Sequence, residues 1–192
     1  LAPYAVPLLC TALRESCDGI EMVFSEAFSA QLIEQILIKD IDVAMVALPI
    51  DVDGIDTVPV FEEELYLVTP IDHPLAHLTA VEESDLPRSE LILLENGHCL
   101  RDQALQLCGD ERVGADIPTD LRATSLETVC QYVAHGFGCT LMPALAVQRY
   151  SKHEENCKFI KINSDRYKRT IAFAHRTGCP RSCLIQPIVD AV

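Results

Sequence analysis

The sequence predicts an α/β protein built as two lobes, and three observations carry that reading. Residues Ala30 to Lys39 put Leu32, Ile33, Ile36 and Leu37 on one stripe with Gln31, Glu34 and Gln35 opposite, the pattern of a helix with one apolar face. Close behind comes Asp42-Val43-Ala44-Met45-Val46-Ala47-Leu48, an apolar run bounded by Asp40 and Pro49 that reads as a strand covered on both faces in a parallel sheet. From Thr69 to Pro87 the composition then shifts to proline, histidine and acidic residues, which marks a crossing between lobes. Residues 1–70 with 164–192 are expected to form lobe I, and 71–163 lobe II.

In chain order, residues 3–16 have helical apolar spacing, with Pro3 and Pro7 in the early turns where a missing N–H costs least. Gly19 ends that helix, and Ile20-Glu21-Met22-Val23-Phe24 alternates as a strand does. Ser29 is placed as the N-cap of the amphipathic helix. Two short strands, 56–61 and 64–68, follow the buried one; strand, helix, strand order implies a right-handed crossover.

Lobe II opens with the strand Glu90-Leu91-Ile92-Leu93-Leu94, whose C-terminal end delivers Asn96-Gly97-His98-Cys99-Leu100-Arg101-Asp102-Gln103. Reaction sites of open α/β sheets gather beyond strand C-termini. Cys99 falls in the first turn of a predicted helix, with His98 and Arg101 beside it, the setting that favours a thiolate. Cys108 closes the same helix. Nine residues at about 1.5 Å each put the two Cα atoms roughly 13 Å apart, on opposite faces. A disulfide needs Cα atoms within about 7 Å. Joining them therefore means dismantling the helix, which is what a thiol switch requires. The glycine-marked loop 109–118 behind it is expected to absorb the displacement.

Leu121 to Thr124 reads as a short strand, and Thr124-Ser125-Leu126-Glu127 as a capping box opening a helix that Gly136 and Gly138 close. That helix N-terminus, with Thr124 and Ser125, is a candidate anion or peroxide site; capping alone also explains it. Residues 139–149 and 158–162 complete the lobe, polar residues 163–168 lead back, 170–175 form a buried strand rejoining the first sheet, and 182–192 form a last helix.

Asp and Glu outnumber Lys and Arg 29 to 15, a formal charge of -14, which argues against a broad phosphate-gripping face. No apolar run reaches the ~18 residues of a membrane span, and the N-terminus lacks a secretory layout, so a cytoplasmic protein is expected. Nine cysteines, an odd count, then read as reduced thiols. Cys10, Cys130, Cys139 and Cys157 lie among apolar neighbours and are expected to pack as small hydrophobes. Cys179 and Cys183 could share a helix face, but zinc lacks two further ligands there. Repeats, Walker loops, dinucleotide glycine motifs and HExxH are absent, the other histidines lie singly, and neither a metal nor a cofactor is expected.

Gly97 to Gln103 with Cys108, Arg122 to Thr128, Leu141 to Val147, Pro3-Tyr4, the run around Asp42 and Arg169-Thr170-Ile171 together resemble the regulatory domain of the peroxide-sensing LysR-type transcription regulators, the OxyR family. The resemblance implies a two-lobed, type II periplasmic-binding-protein-like fold. It makes Cys99 the peroxidatic cysteine and Cys108 the resolving one, with His98 and Asp102 beside the thiol. Arg169 would steady the departing peroxide oxygen, and Ser29, where the family often has threonine, would help hold peroxide. It further implies hydrogen peroxide as ligand and a homodimer, tetrameric in the full-length protein. DNA and RNA polymerase would be reached only through an N-terminal winged helix-turn-helix expected to lie outside this sequence. Two other readings stand beside it: a LysR-type domain binding a small anionic effector without redox switching, and a thiol peroxidase. The resemblance favours a sensor that is not an enzyme.

Overall fold

A computed structural model describes residues 2–16, 21–109, 113–117, 121, 123–179, 185 and 189. The chain folds into helices α1 (Ala2–Ser16) and α2 (Ser29–Leu37), strands β1 (Val43–Ala47), β2 (Ile55–Pro70) and β3 (Ala80–Val81), helices α3 (Cys99–Cys108) and α4 (Leu126–Ala134), strand β4 (Thr140–Pro143), helix α5 (Ala144–Tyr150), and strands β5 (Cys157–Ile162) and β6 (Lys168–Arg176). It divides into two compact units, residues 1–62 with 169–192 and residues 63–168. The divisions fall inside β2 and β6, not at the expected 70/71 and 163/164.

In the first unit β1 lies beside β6, from Val43 opposite His175 to Ala47 opposite Ile171. Alternate side chains serve opposite faces. Ala44, Val46 and Ala174 pack with Ile33 and Ile36 of α2, while Phe173 packs with Leu9 of α1 and Ile185, joined by Val43 and Met45. Two covered faces explain the unbroken apolar run, and each fully buried isoleucine contributes roughly 1.5–3 kcal/mol. The pairing is antiparallel, however, not parallel as expected. Burial on both faces follows from the two layers above and below; it does not encode strand direction, which is set by β6 returning from the far end of the chain.

Other expectations for this unit are corrected. Residues 21–24 form no strand, with Val23 90% and Phe24 44% exposed. Alternation makes a strand only where a neighbour offers a ladder, and none is described here; Ile20 itself lies outside the described residues. With that strand missing, the strand-helix-strand crossover is not observed. The two strands expected at 56–61 and 64–68 are one, β2, because Glu62-Glu63 is no turn: Glu63 is buried and its Oε1 accepts from the Leu145 backbone N–H at 2.9 Å. Ser29 is the first helical residue of α2, not its cap; Phe28 occupies the cap, and its N–H donates to Gln31 Oε1 at 3.3 Å. The helix ends at Leu37, and Lys39 turns out at φ 69°. Of the predicted last helix, only Ile185 and Val189 lie within the described residues, both helical.

In the second unit the latter part of β2 is flanked by β4 and β5, both antiparallel, with Tyr66 opposite Met142 on one side and Lys161 on the other. β3 runs parallel to β5. The strand expected at 90–94 is reduced to two isolated parallel bridges, Leu91 with Cys139 and Leu94 with Ala123. Leu91, Ile92 and Leu94 are buried all the same. Only a glycine fits opposite: a Cβ on Gly138 would stand 2.5 Å from the Glu90 carbonyl oxygen. Ala123 is the described remnant of the strand expected at 121–124, and Arg122 lies outside the described residues.

Candidate functional site

The 91–94 segment and Ala123 run in the same direction, and Glu95 N–H donates to the Ala123 carbonyl at 3.0 Å. The lead-ins to α3 and α4 are thereby brought side by side. Gly97, at φ 96°, makes the turn that most side chains avoid, and His98 follows in extended geometry as the N-cap of α3. Cys99 is therefore the first residue of the helix and half-buried. Asp102 sits exposed in the first turn, where a negative charge suits the positive end of the helix dipole. Arg101 does something the sequence did not suggest. Its Nη1 donates to the Leu94 carbonyl at 3.0 Å, which fastens the first turn of α3 to the segment before it.

Cys108 is the last residue of α3 and is buried. Its Sγ lies 3.7 Å from the Tyr167 hydroxyl, which also donates to the Leu107 carbonyl at 3.5 Å. Burial pushes the Cys108 thiol up, offset in part by the Tyr167 hydrogen bond and the charge of Arg88. Burial raises the Tyr167 hydroxyl as well. Sequence reasoning missed Tyr167. The signal was one large apolar residue inside the polar stretch 163–168, and it is 1% exposed.

Gly109 ends the helix at φ 79°. Beyond it the described part of the loop is less loose than expected: Gly114 N–H donates to the Arg88 carbonyl at 3.1 Å and Asp116 N–H to that of Ser89 at 2.9 Å. Residues 110–112 and 118–120 lie outside the described residues. At the head of α4 the cap is Ser125, whose Oγ accepts from Thr128 N–H at 3.2 Å; the Thr124–Glu127 box is thus displaced by one residue. Thr124 and Ser125 are both exposed.

The remaining sequence candidates, Ser29 and Arg169, belong to the first unit. Ser29 is half-buried at the start of α2, and Arg169 is 7% exposed in β6. Among the described residues one donor cluster could in principle take an ion: His73, Glu90 and Cys139 hold their ligand atoms within 4.8 Å of one another. Hydrogen bonding argues against it. His73 Nδ1 accepts from Leu75 N–H at 3.1 Å, so a neutral ring carries its proton on Nε2, which donates to Glu90 Oε2 at 3.3 Å. No ring lone pair is left over.

All 192 residues match the family model of the LysR substrate binding domain. The chain belongs to that family. Among relatives, the hydrogen peroxide-inducible genes activator of Pectobacterium carotovorum subsp. carotovorum is 37% identical over the full 192 residues, which span 63% of its length. An H2O2-bound OxyR cysteine mutant from Corynebacterium glutamicum aligns at TM-score 0.89 and 31% identity, over 99% of this chain and 60% of that one. The oxidised form of OxyR aligns at TM-score 0.84 and 36% identity, over 100% of this chain and 91% of that one. The two-lobed regulatory-domain fold that the resemblance implied is the fold this family has. Among the described residues no helix is long and apolar enough to cross a membrane.

Proposed function

We propose that this chain is the peroxide-sensing regulatory domain of a transcription regulator, with Cys99 and Cys108 as its redox pair. The observation that carries the reading is one helix, α3, that begins at one cysteine and ends at the other. The Cys99 thiolate attacks one oxygen of hydrogen peroxide; the O–O bond breaks, hydroxide leaves and takes up a proton as water, and Cys99 becomes a sulfenic acid. The Cys108 thiol then attacks that sulfur, the S–O bond breaks, a second water leaves and the disulfide forms. Because helical geometry holds the two Cα atoms about 13 Å apart, the second step proceeds only with α3 unwound. The oxidised segment from 99 to 118 is then a different local structure, and that difference is the signal.

His98 and Asp102 flank the reacting sulfur in sequence and on the first turn. Roles for Arg169, as donor to the departing oxygen, and for Ser29, as a hydroxyl holding peroxide, rest on the family resemblance, and that of Thr124 and Ser125, as an anion or peroxide site, on their place at the N-terminus of α4. The domain acts as a homodimer within a tetrameric full-length regulator in the cytoplasm, and meets DNA and RNA polymerase through a DNA-binding domain elsewhere in that protein. One oxidation per sensing event, not repeated turnover, separates it from a peroxidase. A small-anion effector domain would leave the two helix-end cysteines without a role.

Intact-protein mass spectrometry with peptide mapping tests the proposal. Stoichiometric peroxide is expected to remove two hydrogens and link the Cys99 and Cys108 peptides. Free thiols at both positions after treatment would overturn it.

A further inference from the structure

Two cysteines that the sequence assigned to core packing meet in the second unit. Cys130 lies on the buried face of α4, between Val129 and Val133, and is 0% exposed. Cys157 is the first residue of β5 and is 5% exposed. Helix and strand pack together so that the Cys157 thiol donates to the Cys130 backbone carbonyl at 3.8 Å. A thiol lying against the backbone of a second cysteine brings the two side chains into one neighbourhood of the helix–strand packing, where a disulfide needs Cα atoms within about 7 Å. A surface cleft lined by Ser151, Glu154, Cys157 and Phe159 leads from solvent to the Cys157 side of the pair. It provides a path for an oxidant as small as water.

We propose that Cys130 and Cys157 are a second oxidisable thiol pair, which a small hydroperoxide entering by this cleft converts into a disulfide tying α4 to β5. Two thiols and one peroxide give one disulfide and two waters. The first-ionised sulfur attacks peroxide and releases hydroxide, which leaves as water with the sulfur's former proton; the resulting sulfenic acid condenses with the other thiol and releases the second water.

This pair differs from Cys99 and Cys108 in needing no change of fold, so its disulfide staples the packing of α4 on β5. Burial makes it slower to react than the half-exposed Cys99, which places it at higher oxidant load.

The experiment uses the full chain with Cys99→Ser and Cys108→Ser, so that a failure of the peroxide-sensing reading cannot be confused with a failure here. After excess hydrogen peroxide the chain is unfolded, alkylated and digested without reductant. The expected result is the loss of two alkylatable thiols and a cross-link between the peptides carrying Cys130 and Cys157, reversed by dithiothreitol. Cys130→Ala and Cys157→Ala, each with near-unchanged circular dichroism, should abolish the cross-link. If both cysteines stay alkylatable, or if either pairs instead with Cys139, the proposal is overturned. A cross-link that forms only after urea is added also overturns it, since contact in the fold is its premise.

Discussion

The two thiol pairs of the second unit are built on opposite plans. Cys99 and Cys108 are close in sequence but held apart by the helix between them, whereas Cys130 and Cys157 are distant in sequence and in contact. Oxidation of the first pair must break helical hydrogen bonds; oxidation of the second preserves the packing that already exists. Distance along a helix thus turns a disulfide into a conformational signal, and proximity turns one into a clamp. The anchoring differs as well. α3 is held by a few identifiable contacts at its ends, Arg101 to Leu94, Tyr167 to Leu107 and the Gly109 turn, each open to change by a single substitution.

The largest effect is expected from Cys108→Ser. It should eliminate the first disulfide and the unwinding of α3 while leaving Cys99 able to reach the sulfenic acid, trapped by dimedone and read by mass spectrometry. If α3 still loses structure in this variant, the disulfide is not what melts it.

Gly109→Ala sharpens the comparison without touching a thiol. A Cβ there meets nothing within 4 Å, so the cost is that of a positive φ alone, about 1 kcal/mol. That cost is paid only while α3 is intact. The variant should shift the redox equilibrium of the first pair about fivefold towards the disulfide, measured by titration against glutathione, and should leave the second pair unmoved. Tyr167→Phe removes a hydroxyl next to Cys108 and Leu107 and should lower the stability of the reduced form by about 1 kcal/mol in denaturant titration.

A further effect concerns alkaline pH. Burial and the nearby Glu90 charge push the Cys139 thiol from 9.0 up to about 12. A thiol raised in the folded state binds its proton there after the unfolded chain has lost it, so its contribution is fully present below about pH 9 and is lost as pH rises towards 12. Thermal unfolding should show stability falling across that window, with a shallower slope in Cys139→Ala. An unchanged slope would remove Cys139 from the account.

Local, periodic signals were legible in the sequence. The stripe of α2, the apolar run of β1 and a ten-residue helix with a cysteine at each end all follow from spacing, and the structure contains them. Features decided by long-range partners were not. The direction of β1 depends on β6, which is more than a hundred residues away. The alternation at 21–24 found no ladder among the described residues. Both cap assignments slipped by one residue: the cap of α2 is Phe28, whose N–H donates to Gln31 Oε1, and that of α4 is Ser125, whose Oγ accepts from Thr128 N–H. Tyr167 and the Cys130 contact with Cys157 join residues dozens of positions apart, and no periodicity encodes such a meeting.

Peptide-resolved hydrogen exchange over residues 99–117, in the reduced and peroxide-treated protein, tests the central claim most directly. The account predicts that the backbone amides of α3 are protected while Cys99 and Cys108 are thiols and lose that protection when the disulfide forms, with α4 and β5 unchanged. A mapped Cys99–Cys108 disulfide in a protein whose α3 amides remain protected would contradict it.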